Sequence, residues 1–277
     1  KKIKLRSQQW FNNPDNQEMT ALYLERYLNY GLTREELQSG KPIIGIAQTG
    51  SDLSPCNRHH IELAKRVRDG VISAGGTVIE IPVHPIQETG KRPTAMLDRN
   101  LAYLSLTETL YGYPIDAAVL TIGCDKTTPA HLMALGRLNL PSLVVIGGYQ
   151  GNGFCAGAPV DIDDVYESVG AVAAGTMTME HLTELTENAI VGPGVCAGLG
   201  TANSMHIVAE ALGMAMPGSA PVLAASPRMY ERAAAAGTRI VDLVREDVRA
   251  RDVITPAAID NALRVVVAVG GSINTVR

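Results

Sequence analysis

Apolar positions along the first 160 residues fall into short continuous runs separated by stretches of helical period. Ile43-Ile44-Gly45-Ile46-Ala47, Thr77 to Val83, Asp116 to Ile122 and Ser142 to Ile146 each read as a buried strand, short and bounded by turn residues. Between them, apolar residues return every three or four positions, as in Ile61, Leu63, Ala64, Val67 and Val71. That spacing predicts helices over about His59 to Ala74, Thr94 to Tyr111 and His131 to Leu138, the first stopped by Gly75-Gly76. Four strand–loop–helix units of this length predict an α/β fold, a parallel sheet flanked by helices. After residue 160 the pattern is mostly helical: 161–175, 179–189, 203–213, 226–236, 238–246 and 255–267. Thr255-Pro256 marks the last start, an N-cap followed by proline at the first helical position. Ahead of the first strand, residues 1–16 read as an irregular polar arm and Gln17 to Asn29 as an amphipathic helix, making a helical arm of about 1–40. The apolar run Val265 to Val269 enters a turn, Gly270-Gly271-Ser272-Ile273-Asn274, and the sequence stops almost at once.

Composition narrows the function classes. In 277 residues, 24 basic and 28 acidic side chains leave a net charge of −4, a poor electrostatic footprint for nucleic acid. Aromatic residues are only 4%, so stacking platforms for bases are scarce. No apolar stretch approaches the length of a membrane span, and the basic start Lys1 to Arg6 lacks the apolar segment of a secretory signal. Four cysteines in a chain this long do not make a disulfide scaffold, so a cytoplasmic protein with reduced thiols is expected. No long-period repeat is evident; one short echo relates Gly151 to Gly157 and Gly192 to Gly198, both fitting G-x-G-x-C-A-G.

Ligands of open parallel sheets bind beyond the carboxyl ends of the strands. The loops there carry Cys56, Glu88 and the block Gly123-Cys124-Asp125-Lys126-Thr127-Thr128-Pro129, while Cys196 sits in a glycine-rich loop before a helix. Cys56, Cys124 and Cys196 stand 68 and 72 residues apart, which excludes the local spacing of zinc ribbons and ferredoxins. All three nevertheless lie in polar turns, where a merely buried thiol is not expected. A thiol, a carboxylate and an amine in succession after a buried strand need a ligand or metal to offset burial, or form an ordinary surface ion pair. Glu88 and Asp125 are hard oxygen donors suited to Mg²⁺, and the helix start at Thr127-Thr128-Pro129 favours an anion.

The segments Gly50-Ser51-Asp52-Leu53-Ser54-Pro55-Cys56-Asn57, Gly123 to Pro129, Cys196 with Gly200-Thr201-Ala202-Asn203-Ser204-Met205, and Gly270 to Asn274 resemble, in order, the IlvD/Edd dehydratase family. The Trp10-Phe11 segment and Met19 to Arg26 look most like its sugar-acid (aldonate, pentonate) branch. The resemblance implies a hydro-lyase turning a 2,3-dihydroxy sugar acid into a 2-keto-3-deoxy acid. It implies an iron–sulfur cluster, 2Fe–2S rather than 4Fe–4S in this branch, held by Cys56, Cys124 and Cys196. It implies Mg²⁺ held by Glu88, Asp125 and a carbamylated Lys126, with Asp125 and Lys126 the catalytic pair. It implies a homodimer or homotetramer, with a small sugar acid as partner. The family's base is a serine in a C-terminal β-rich domain; residues 1–277 correspond to the N-terminal domain, and that second domain is expected to be absent. The alternatives are the dihydroxy-acid dehydratase of branched-chain amino-acid synthesis and a catalytically silent scaffold. Ile273 stands where relatives carry Thr, residues 147–195 match poorly, and Ser272 belongs to the turn rather than to catalysis.

Other candidates carry less. Cys155 is assigned as a non-ligand, because only Cys196 is followed by the Gly200 to Met205 block. His59 and His60 are expected to be solvated or capping, His84 to play an ordinary role rather than to support Glu88 four residues on, and His131 and His206 to be core or surface residues. Asp161, Asp163, Asp164 and Glu167 lack calcium-loop spacing and read as an acidic first helical turn. Gly147 to Gly157 reads as a glycine-rich loop, and its glycines do not match a dinucleotide fingerprint.

Overall fold

The computed structural model describes residues 4–29, 31–86 and 93–276. Its elements run α1 (Gln8–Phe11), α2 (Gln17–Leu28), α3 (Arg34–Gln38), β1 (Ile43–Gln48), α4 (His60–Ser73), β2 (Thr77–Pro82), α5 (Met96–Gly112), β3 (Ala117–Ile122), α6 (Thr127–Leu138) and β4 (Ser142–Ile146). There follow β5 (Gly153–Cys155), β6 (Ala158–Val160), α7 (Ile162–Ala173), α8 (Met179–Asn188), α9 (Thr201–Ala211), α10 (Pro227–Glu246), α11 (Ala250–Val253) and α12 (Pro256–Ala268). The four predicted strands form one parallel sheet in the order β2-β1-β3-β4. Ile44 pairs with Val78 and Ala117, and Leu120 with Val144.

Side chains of a strand alternate between the faces of its sheet, and the core divides accordingly. Ile44, Ile46, Ala117, Val119, Leu143 and Val145 point to one face, where α4 and α10 cover them. Ile43, Ala47, Ala118, Leu120, Val144 and Ile146 point to the other, packed with residues of α5, α6 and α9. Burial on both faces explains why these strands read as continuous apolar runs. Only the edge strand β2 alternates between buried and exposed positions.

Four local expectations are corrected. Residues 226–236 and 238–246 are one helix, α10, because Gly237 is a contact point and not a stop. A Cβ there would lie 2.1 Å from the Val67 carbonyl oxygen, and one on Gly70 would lie 2.0 Å from that of Ala234, so the two glycines let α4 and α10 touch backbone to backbone. The first residues are not an irregular arm. Ser7 donates its N–H and hydroxyl to buried Asp116 at 3.0 and 2.7 Å, and Trp10 stacks on Tyr23 with ring centroids 4.3 Å apart. The 147–157 stretch contains a hairpin strand, β5, turned back to β6 through Ala156 and Gly157, both at positive φ as a type I′ turn requires. The third predicted helix starts at Thr127, one turn before His131, since Pro129 is tolerated in a first turn.

Candidate active site

Three chain segments meet at the carboxyl end of the sheet. The first leaves β1, turns through a 3₁₀ segment at Pro55–Asn57 and carries Cys56. The second leaves β3 and enters α6 through Gly123, Cys124, Asp125 and Lys126. These two abut closely: a Cβ on Gly123 would lie 2.2 Å from Asn57 Oδ1, so only glycine fits. The third carries Cys196 and arrives from far along the sequence. It is held by main-chain bonds, with Gln150 N donating to Val195 O at 2.8 Å, Val195 N to Gly148 O at 2.9 Å and Gly194 N to Cys56 O at 2.8 Å. Asn203, in the first turn of α9, fixes the loop from its other side by donating to the Cys196 and Gly198 carbonyls, both at 2.8 Å. No disulfide joins any of the four cysteines.

Burial holds the thiols of this corner toward their neutral form. Burial pushes the Cys56 thiol up. Burial also raises Cys196, with smaller contributions from Cys56, Asp163 and Asp125. Asp125 pairs with Lys126 at 2.7 Å, both side chains largely covered. Thiols and carboxylates gathered in a half-buried site are a donor set that a bound cation would stabilise in ionised form. Cys56 and Asp125 lie close enough to Cys196 to act on its protonation. Buried polar atoms without a protein partner lie beside them: both amide atoms of Asn57 and the hydroxyl of Ser54. Orphaned donors next to a thiol set fit an iron–sulfur cluster, whose sulfurs accept hydrogen bonds. For Mg²⁺, Asp125 offers a hard oxygen, while Lys126 as an ammonium repels the ion and as a carbamate would bind it. Glu88 lies outside the described residues.

Gln150 and Tyr166 were not singled out from sequence, and Asp163 was read only as part of an acidic helix start. Gln150 Nε2 lies 3.9 Å from Cys56 Sγ. Asp163 reaches Gly198, and Tyr166 is raised by burial and by the nearby Cys196, Asp163 and Cys56. Residues 163 and 166 share one face of α7, the i, i+3 relation that was the available signal. The acidic reading of this helix start holds: Asp161 caps α7 and Asp164 returns the bond. The histidines correct an expectation. His59 and His60 are buried, not solvated; His59 Nε2 bonds Gly147 O at 2.6 Å, and His60 Nδ1 meets Thr49 and Thr121 hydroxyls at 2.7 and 3.0 Å. His131 and His206 are core residues, the latter donating to Gly123 O at 2.8 Å. His84 contacts Asp98 at 3.3 Å. Ser272 is tied to Thr201 and Ser204 at the start of α9, a structural turn. A cavity of about 590 Å³ opens beside this corner, but Leu199, Ile207, Ala211, Val265 and Val269 make it too apolar for a polyhydroxylated acid.

Residues 41–277 match the family described as dihydroxy-acid/6-phosphogluconate dehydratase, N-terminal. The chain belongs to this family. It is 52% identical over 98% of its length to D-xylonate dehydratase of Caulobacter vibrioides, covering 46% of that protein. It is 40% identical over 99% of its length to L-arabinonate dehydratase of Rhizobium leguminosarum, covering 47% of it. With a dihydroxy-acid dehydratase of Roseiflexus it shares 41% identity over 89% of the chain and 44% of that protein. The chain thus spans about half the length of the curated relatives it matches. Among the described residues no helix is long and apolar enough to cross a membrane.

Proposed function

We propose that the chain is the cofactor-holding part of a hydro-lyase that dehydrates a sugar acid, an aldonate, to its 2-keto-3-deoxy acid. The observation that carries this reading is the convergence of the Cys56, Cys124 and Cys196 loops on the Asp125–Lys126 pair at the carboxyl end of the sheet. The sugar-acid reading is favoured over dihydroxy-acid dehydration because the similarity to the two sugar-acid enzymes extends over nearly the whole chain.

Cys56, Cys124 and Cys196 would hold an iron–sulfur cluster, and Asp125, a carbamylated Lys126 and Glu88 would hold Mg²⁺. When bound, the cluster supplies a Lewis acid for the departing hydroxyl and Mg²⁺ a positive charge for the developing enolate. The residues of this chain bind and orient. Lys126 reacts with carbon dioxide, forming an N–C bond and releasing protons, which removes a cation and adds an anionic oxygen. The N-terminus of α6 favours the substrate carboxylate. Asp163 and Tyr166, both exposed, lie beside the cysteines at the open side of the corner. The reaction removes the C2 proton and the C3 hydroxyl as water, and the enol takes a proton at C3. The base for C2 is assigned to the part of the family's length that this chain does not span.

Anaerobic reconstitution with iron and sulfide tests the reading. A brown protein is expected, bleached in Cys124→Ser and unchanged in Cys155→Ser; a colourless parent overturns the cluster assignment. A full-length family chain carrying this sequence is expected to dehydrate D-xylonate or L-arabinonate, with turnover lost in Asp125→Asn. Iron bound without turnover on either acid would favour the silent scaffold.

A further inference from the structure

Away from the three-loop corner, Cys155, His181 and Glu184 bring three metal-ligand atoms within 4.8 Å of one another. We propose that they form a second, structural metal site for a zinc-type divalent cation, clipping the β5–β6 hairpin to α8. Thiolate, imidazole and carboxylate together suit a borderline-soft ion and are a poor set for Mg²⁺ or Ca²⁺. Metal bonds of about 2.0–2.3 Å at tetrahedral angles place ligand atoms about 3.3–3.8 Å apart. His181 Nδ1 and Glu184 Oε2 already stand at 3.4 Å, inside that range, and all three ligand atoms lie within 4.8 Å of one another. His181 and Glu184 are partly open to solvent, which leaves a fourth position for water.

The surroundings hold the ligands in place. Cys155 is buried against Val160, Leu185 and Ala189. Gly153, two residues before it, presses on the end of α8 so tightly that a Cβ would lie 1.6 Å from the Asn188 carbonyl oxygen. At the other end of α8, the Thr178 hydroxyl accepts from His181 N at 3.2 Å and sets the first turn. Helix α8 packs on α7, whose first turn carries Asp163 and Tyr166 beside Cys196. The clip therefore braces the wall of the candidate active site without touching it, and it does not depend on the proposed reaction.

Co²⁺, used as a spectroscopic probe for Zn²⁺, tests the proposal on the chelator-treated chain. Difference spectra before and after addition cancel any iron–sulfur background. The expected result is a thiolate-to-cobalt charge-transfer band saturating at one equivalent, displaced by Zn²⁺ and lost in Cys155→Ala. His181→Ala and Glu184→Gln, at exposed positions that leave the fold intact, are expected to weaken Co²⁺ binding about tenfold or more. A band of undiminished intensity in Cys155→Ala comes wholly from the other thiols and overturns the site, as does the absence of any band in the parent. If Cys155→Ala fails to fold, unchanged affinity in both His181→Ala and Glu184→Gln overturns it equally.

Discussion

Asp116 shows how one residue can organise a chain beginning. Its carboxylate is buried, accepts from Ser7 N, Ser7 Oγ and Ile43 N, and lies near the Arg6 guanidinium, whose own protonation it supports against burial. Burial pushes its pKa up, and the bonds from Ile43 and Ser7 offset part of that. Asp116→Ala leaves two main-chain N–H groups buried without an acceptor, each costing about 1–3 kcal/mol. The expected loss is about 3 kcal/mol in urea unfolding, with Asp116→Asn losing less than half of that because one acceptor oxygen remains. Asp116 is legible in sequence only as the polar residue that opens a strand. Its partner Ser7 is 109 positions away, a distance over which no local pattern speaks.

At the scale of elements, the α4–α10 crossing decides more than the strength of either helix. Alanine improves an exposed helix interior by about 1 kcal/mol over glycine. At Gly70 and Gly237 the added methyl meets backbone oxygen at 2.0 and 2.1 Å, and backbone cannot step aside as a side chain can. Overpacking of this kind costs about 1–3 kcal/mol or somewhat more, and the clash outweighs the gain. Gly70→Ala and Gly237→Ala are each expected to lower the melting temperature by several degrees in calorimetry. An unchanged or raised value would mean the crossing relaxes freely. The strands of the parallel sheet, by contrast, were readable almost to the residue, because burial on both faces makes β1, β3 and β4 continuous apolar runs flanked by turns, whereas β5 and β6, of three residues each, leave no such run. Helix starts such as Thr255-Pro256 were readable for a similar reason: the cap is chemistry between neighbours, Thr255 Oγ1 accepting from Ala258 N at 3.2 Å.

On the scale of the whole molecule, four histidines sit beneath the candidate site and set its acid tolerance. Burial lowers His131 and His206 from 6.5 to about 4 each, and it lowers His60 as well, with its three histidine neighbours adding to the effect. The native state therefore holds them neutral, while the unfolded chain binds protons near pH 6.5. Their contribution to stability is full above pH 6.5 and disappears as pH falls toward 4. A shift of this size is worth about 3 kcal/mol for each of His131 and His206. The urea midpoint is expected to drop steeply between pH 6.5 and 4, and His131→Leu to flatten that slope while retaining stability at pH 7.5. A flat profile in the parent would contradict the buried, neutral assignment.

The sequence by itself determined the parallel α/β layout, the family and the segments that carry the resemblance to it. All of these are written in contiguous stretches, as apolar period, capping pairs and the Cys124-Asp125-Lys126 block. Tertiary structure alone decided what depends on contacts between distant positions. Cys196 joins Cys56 through main-chain bonds contributed by Gly148, Gln150 and Gly194. Glycines 70 and 237 act as contact points rather than helix stops. The histidines lie inside because the strand ends close over them. Cys155, set aside from the cluster in sequence, finds His181 and Glu184 only when the hairpin folds onto α8. Local chemistry is a property of neighbours along the chain, whereas a site is a property of neighbours in space.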